Sequence, residues 1–156
     1  MREAWRKHNA INSLGLKTHL NNAGFLEGLE TYCIAANEPD FTILLCGDTD
    51  VYDGVPDETV LAYVKEAVTR IKAALPMTTV LVSTIPCDLV QHAQLNANIA
   101  SWCATEPDVE CVDLASVFTT DANKGNRAQC EAAAELLKTK LLTPATADGK
   151  NTPSTW

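Results

Sequence analysis

The sequence predicts an α/β fold with a parallel sheet, and three observations predict it. First, three segments share one layout, a proline followed within a few residues by a β-branched or apolar run: Pro39-Asp40-Phe41-Thr42-Ile43-Leu44-Leu45-Cys46, Pro76-Met77-Thr78-Thr79-Val80-Leu81-Val82-Ser83 and Pro107-Asp108-Val109-Glu110-Cys111-Val112-Asp113-Leu114. The prolines lie 37 and 31 residues apart (39 to 76, 76 to 107), the length of a strand plus a crossover helix. Second, the runs are continuous rather than strictly alternating, as in strands covered on both faces. Third, the intervals carry helical periodicity, which together with the strands makes βαβ units with right-handed crossovers.

Taken in order, a stretch around Leu26 to Ala36 reads as helix, and strands are expected near residues 41–46, 79–84 and 109–114. Val60, Leu61, Val64, Val68, Ile71 and Leu75 recur at i, i+3/i+4, with Lys65, Glu66, Arg70 and Lys72 on the other side; Pro76 stops that helix. Leu95, Ile99, Trp102 and Cys103 mark a second helix, for which Asp88 with Gln91 offers an opening cap. Asn126 with Gln129 caps a last helix through Ala132, Ala133, Leu136, Leu137 and Leu141. Residues 143–156, rich in Thr, Pro, Gly and Asn, read as a flexible tail behind a single domain spanning 1–142.

Composition narrows the function classes. At 156 residues the chain is one domain with room for a core, and 46% apolar against 21% charged residues is globular usage. Twenty acidic against twelve basic residues give a net charge of −8, which argues against nucleic-acid and anionic-membrane partners, since phosphate binding needs a basic face. No apolar run approaches the ~20 residues of a membrane span. The opening Met1-Arg2-Glu3-Ala4-Trp5-Arg6-Lys7 leads into Asn and His, so no secretion signal is read there, and the localisation stays open. Six cysteines occur without CxxC or Cys/His ligand spacing, so neither a zinc site nor another cofactor is expected. Cys103 and Cys111 could pair across a short loop, whereas Cys46 reads as a buried thiol in a strand.

Ligands of such sheets sit at the carboxyl ends of the strands. The text there is Leu45-Cys46-Gly47-Asp48-Thr49-Asp50-Val51 after the first strand, Ser83-Thr84-Ile85-Pro86 after the second, and Asp113 and then Asp121 after the third. Adding the helix Leu95-Asn96-Ala97-Asn98-Ile99 and the run Val109 to Phe118, residues 24–142 resemble the SGNH (GDSL-like) hydrolase family, closest to fungal-type carbohydrate esterases of family three. The resemblance implies a flavodoxin-like three-layer α/β/α fold and removal of acyl, above all acetyl, groups from carbohydrate. It also implies a serine nucleophile from a Gly-Asp-Ser block, a histidine base from a final Asp-x-x-His block, and oxyanion donors from the serine N–H, a glycine N–H and an asparagine side chain.

Carried over residue by residue, that site is incomplete. No Gly-Asp-Ser occurs, and four residues precede Trp5, so the expected fold lacks its first, nucleophile strand. The exposed sheet edge this would leave makes self-association an expectation. Gly24 takes the oxyanion glycine position, Gly47 opens the third block, and Thr49 stands where the asparagine belongs, with Asp50 beside it. Asp121 takes the acid position, but Lys124 stands where the histidine belongs, and an ammonium group is no near-neutral base without a large pKa drop. The remaining histidines are His8, His19 and His92.

Plainer roles compete at each position. Gly47 suits a turn leaving a strand, Asp50 a loop-amide acceptor, and Thr49 a loop-capping hydroxyl. Asp121, Asn123 and Asn126 suit turns and caps, His92 a solvated position early on a helix, and Ser83 and Thr84 hydrogen bonds to the loop before Pro86. Three functions remain open: an N-terminally incomplete esterase relative, a non-catalytic carbohydrate- or protein-binding descendant, and a hydrolase with a cysteine nucleophile such as Cys46 or Cys87.

Overall fold

The computed structural model describes residues 39–86, 91–118 and 126–142, together with Leu26 and Leu29. It contains β1 (Phe41–Leu44), α1 (Asp48–Tyr52), α2 (Asp57–Ala74), β2 (Thr79–Ser83), α3 (Ala93–Cys103), β3 (Val109–Val112) and α4 (Arg127–Leu142). The three strands form one parallel sheet in the order β1-β2-β3, so the chain is α/β as the proline-led runs predict. Phe41 pairs with Thr79 and Leu44 with Val82 on one side of β2; Val80 pairs with Val109 and Ser83 with Val112 on the other. Each strand is shorter than its apolar run, because the run continues past the ladder into the loops at the carboxyl edge.

Alternation along the strands sends side chains to two faces, and the burial follows it. Leu44, Val80, Val82 and Val109 join one apolar cluster with Val60, Val64, Ala67, Val68 and Ile71 of α2 and Leu95, Ile99 and Cys103 of α3. Leu26 and Leu29, both helical, are buried in the same cluster. Leu81 and Val112 point to the other face, where they meet Leu114, Phe118 and Ala133, with Phe41, Leu137 and Leu141 packed alongside. That second face is thinner, because α4 brings only the single row Ala133, Leu137 and Leu141 to it. Ala132 and Leu136 of the same helix are exposed.

The helix ends follow from local chemistry. Leu75 closes α2 with its N–H on Ile71 O (2.7 Å), and Pro76 follows outside the helix. Lys72 then ties down the amino edge of the sheet, its Nζ donating to Thr78 O (2.9 Å) and Pro76 O (3.2 Å) and lying 3.4 Å from Asp108 Oδ2. Asp108 sits at φ 56, the left-handed region that short polar side chains tolerate better than others. Asn126 and Gln129 cap α4 reciprocally, Gln129 N donating to Asn126 Oδ1 (3.1 Å) and Asn126 N to Gln129 Oε1 (2.9 Å). α3 departs from expectation: it starts at Ala93 with His92 as its N-cap, so Gln91 lies in the turn before the helix and an Asp88 cap does not open it. Asp88 itself lies outside the described residues, as does the tail 143–156.

At β1, Ile43 and Leu45 point away from the packed cluster and are 42% and 55% exposed. A core residue and an open one therefore sit side by side, since Ile43 is the register partner of fully buried Leu81. Leu81→Ala should cost roughly 2–5 kcal/mol in urea denaturation, as expected for a large-to-small change in a filled core. Ile43→Ala should cost about 1 kcal/mol or less in the same measurement. Equal losses would mean that β1 is covered on both sides.

Candidate functional site at the carboxyl edge of the sheet

The chain leaves β1 through Leu45 and Cys46 and turns at Gly47 into α1. Gly47 has φ +100, and a Cβ built on it would lie 2.8 Å from Ile85 Cδ1 and 3.3 Å from Val60 Cγ1. Both the left-handed backbone and the close approach call for glycine here. The turn leaving the strand is thus what the residue serves: it lets the first strand-end loop close onto the second. Val51 N then donates to Gly47 O (3.0 Å) and Val55 N to Asp50 O (2.9 Å), which fixes the short α1. Asp50 is buried at 4% exposure, and Thr49 beside it is half-buried.

Ile85 is also held from the opposite side. Asn96 of α3 accepts from Ile85 N through Oδ1 (2.7 Å) and donates to Ile85 O through Nδ2 (2.9 Å). Ile85 lies just beyond β2, where the ladder has ended but burial has not, so its N–H and C=O need partners that no strand supplies. A side-chain amide offers one acceptor and one donor at the spacing of a backbone and replaces the missing strand. Losing it would orphan two buried groups at about 1–3 kcal/mol each. The sequence signal for this role of Asn96 is a polar side chain between Leu95 and Ile99 on an apolar helix face.

Thr84 departs from the expected contact with the loop before Pro86. Its Oγ1 donates to Asp113 Oδ1 (3.0 Å) and accepts from Ala115 N (2.8 Å), so it joins the loop after β3 instead. Asp113 accepts from Ser116 N as well (3.3 Å). The hydroxyl is fully engaged in structure.

His92 is likewise not solvated. It is 7% exposed, and its Nδ1 lies 2.6 Å from Asp57 Oδ1 at the first turn of α2. A carboxylate only accepts, so Nδ1 carries the proton and donates. The pair braces the amino-terminal ends of α2 and α3 against each other, and burial of the ring is compatible with that satisfied bond. The sequence hides it because Asp57, directly after Pro56, reads as an ordinary acidic residue of a helix first turn.

A His–Asp pair near a strand end invites comparison with a catalytic dyad, and the sheet geometry bears on that comparison. Ser83 continues the alternation of Leu81 and is the register partner of Val112, so it faces the α4 side. His92 caps α3, which packs on the opposite face with Val80 and Val82. The sheet lies between the two. Cys46 fares no better as a nucleophile: burial, then the charges of Asp50 and Asp48, push its thiol far above the ordinary range, which keeps it protonated.

Gly24, Asp121, Lys124 and Cys87 lie outside the described residues. Of the residues read as a site, the structure thus gathers Gly47, Thr49 and Asp50 at one edge, with Ile85 and Pro86 beside them. Among the described residues, no group of three His, Cys, Asp or Glu side chains is placed to hold a metal ion, and no helix is long and apolar enough to cross a membrane. In comparisons with known proteins, no family model, no curated protein and no solved structure matches the chain.

The two positive-φ glycines provide a matched test. Gly54, at φ +76, has open space where a Cβ would go, so Gly54→Ala pays backbone strain alone. Gly47→Ala adds the contact with Ile85 to a similar strain of about 1–3 kcal/mol. Thermal or urea denaturation should show the larger loss for Gly47→Ala, and shortening the neighbour in Gly47→Ala/Ile85→Val should recover part of it.

Proposed function

We propose that residues 1–142 form an SGNH-hydrolase-like domain derived from an ester hydrolase of acetylated carbohydrate, and that the chain does not itself hydrolyse esters. The observation that carries the reading is the convergence on Ile85. The Gly47 block packs on its side chain, the Ser83-Thr84-Ile85-Pro86 strand end contains it, and Asn96 of the Leu95-Asn96-x-x-Ile99 helix holds its backbone. Three of the blocks on which the resemblance rests thus meet at the sheet edge where such a fold keeps its chemistry. Apolar clusters on both faces of the parallel sheet support the finer, flavodoxin-like three-layer arrangement.

Inactivity is supported by chemistry at each position. Thr49 offers a short hydroxyl in place of an amide donor, and Lys124 stands at the base position behind Asp121. Ser83 and His92, the nearest substitutes, lie on opposite faces of the sheet. What this reading leaves to the carboxyl edge is binding, with a carbohydrate ligand at Gly47, Thr49 and Asp50. The net charge of −8 supports a role without nucleic acid or anionic membrane.

Hydrolysis of p-nitrophenyl acetate should not exceed that of a Ser83→Ala control at any pH from weakly acidic to weakly basic. Turnover that survives purification and is lost in Ser83→Ala or His92→Ala would overturn the inactive reading. Retained carbohydrate binding should raise the melting temperature with xylan or cellulose oligomers, and a Thr49→Ala variant should lose that rise. The exposed Ile43 and Leu45 make self-association a companion proposal. Sedimentation should show a concentration-dependent oligomer that Ile43→Lys shifts towards monomer.

A further inference from the structure

Two thiols meet on the face of the sheet covered by α2 and α3. Cys103 is the last residue of α3 and is 2% exposed; Cys111, eight positions later, is half-buried in β3. Cys111 alternates onto the same face as Val109, which shares the apolar cluster with Cys103, and Cys111 packs against that cluster. The two thiols are near enough to perturb each other's titration, and both are free. A turn through Ala104–Asp108 returns the chain from the helix end to the strand, so one short loop joins the pair.

We propose that Cys103 and Cys111 are a dithiol modification site that closes to a disulfide by exchange with a small-molecule disulfide of the oxidised-glutathione class. The roles of the two sulfurs differ. The hydrogen bond from Cys103 and, less strongly, the charge of Lys140 hold Cys111 below the ordinary thiol range, against its burial and Asp113. The same hydrogen bond, then burial, pushes Cys103 far up. Cys111 is also the more accessible of the two.

The Cys111 thiolate therefore attacks one sulfur of the small disulfide, whose S–S bond breaks and releases one glutathione thiolate. Cys103 then gives up its proton and attacks Sγ of Cys111, which expels the second glutathione. Two protein thiols lose two electrons and two protons, and one glutathione disulfide becomes two thiols. The new bond pins the end of α3 to β3.

The test equilibrates the full chain in glutathione buffers of rising oxidised fraction, quenches in acid, alkylates the free thiols and maps the peptides. A reducible Cys103–Cys111 cross-link should appear and rise with the oxidised fraction. In Cys103→Ser the second step is blocked, so a glutathione adduct should accumulate on Cys111. The adduct on Cys103 in Cys111→Ser should be about ten-fold lower, because a buried, protonated thiol is a poor nucleophile. Complete alkylation of both cysteines at every buffer ratio would overturn the proposal. So would a persistent glutathione adduct on Cys111 of the unsubstituted chain, or a preferred cross-link from either residue to another cysteine.

Discussion

The structure depends on the burial of β2 beyond its first residue. It is the central strand of the described sheet, and residues Val80 to Ile85 are all buried. From Val80 to Ile85, buried backbone polar groups need partners inside the protein. Along the ladder, and as far as Thr84 at the carboxyl end, β1 and β3 provide them. Beyond that the loops and α3 must, and they are shaped by that demand. At the amino end Thr79 N reaches Asp40 O (2.9 Å) and Val80 N reaches Asp108 O (2.9 Å). At the carboxyl end Thr84 N reaches Val112 O (3.0 Å), and Ile85 relies on Asn96. The left-handed turn at Gly47, the choice of amide at position 96 and the Thr84–Asp113 contact are all responses to one strand that stays buried beyond its ladder.

This arrangement changes what the polar groups of the carboxyl edge mean. Read along the chain, Ser83, Thr84, His92, Asp57 and Asp113 are the residue types from which hydrolytic sites are built. In space they are separated into contacts that each close on themselves. His92 meets Asp57 across two helix ends, Thr84 meets Asp113 across two strand ends, and Ser83 faces the other side of the sheet. Catalysis needs nucleophile, base and acceptor site within one cleft at hydrogen-bond reach. Residue type alone does not supply that.

Much of the fold was legible because it rests on long, repeated signals. Proline-led runs marked all three strands, the 3.6-residue period marked α2, and the Asn126–Gln129 cap marked the start of α4 within a residue. Signals carried by a single side chain were less legible. A plausible Asp–Gln capping pair precedes the start of α3 and masks it, and nothing near His92 in the sequence points to its partner, 35 positions back at Asp57. On α4, Leu136 carries the apolar character of a core residue, yet only every fourth position reaches the sheet. Of the site, Gly47 was legible from its place after a strand; Asn96 was not, because its role depends on where β2 stops pairing.

The parallel register also governs how this chain can fold. Phe41 pairs with Thr79 and Val80 with Val109, separations of 38 and 29 residues, so no pair of strands can zip up from a tight turn. Closing either loop costs chain entropy that grows only logarithmically with length, and the two closures differ by about 0.2 kcal/mol. Neither strand pair therefore has a decisive head start. What shortens the search is helix: the 18 residues of α2 and the 11 of α3, once coiled, turn most of each loop into a stiff rod. Contacts of this range place the domain among the slower folders for its size, with its rate set by how early α2 and α3 dock on β2.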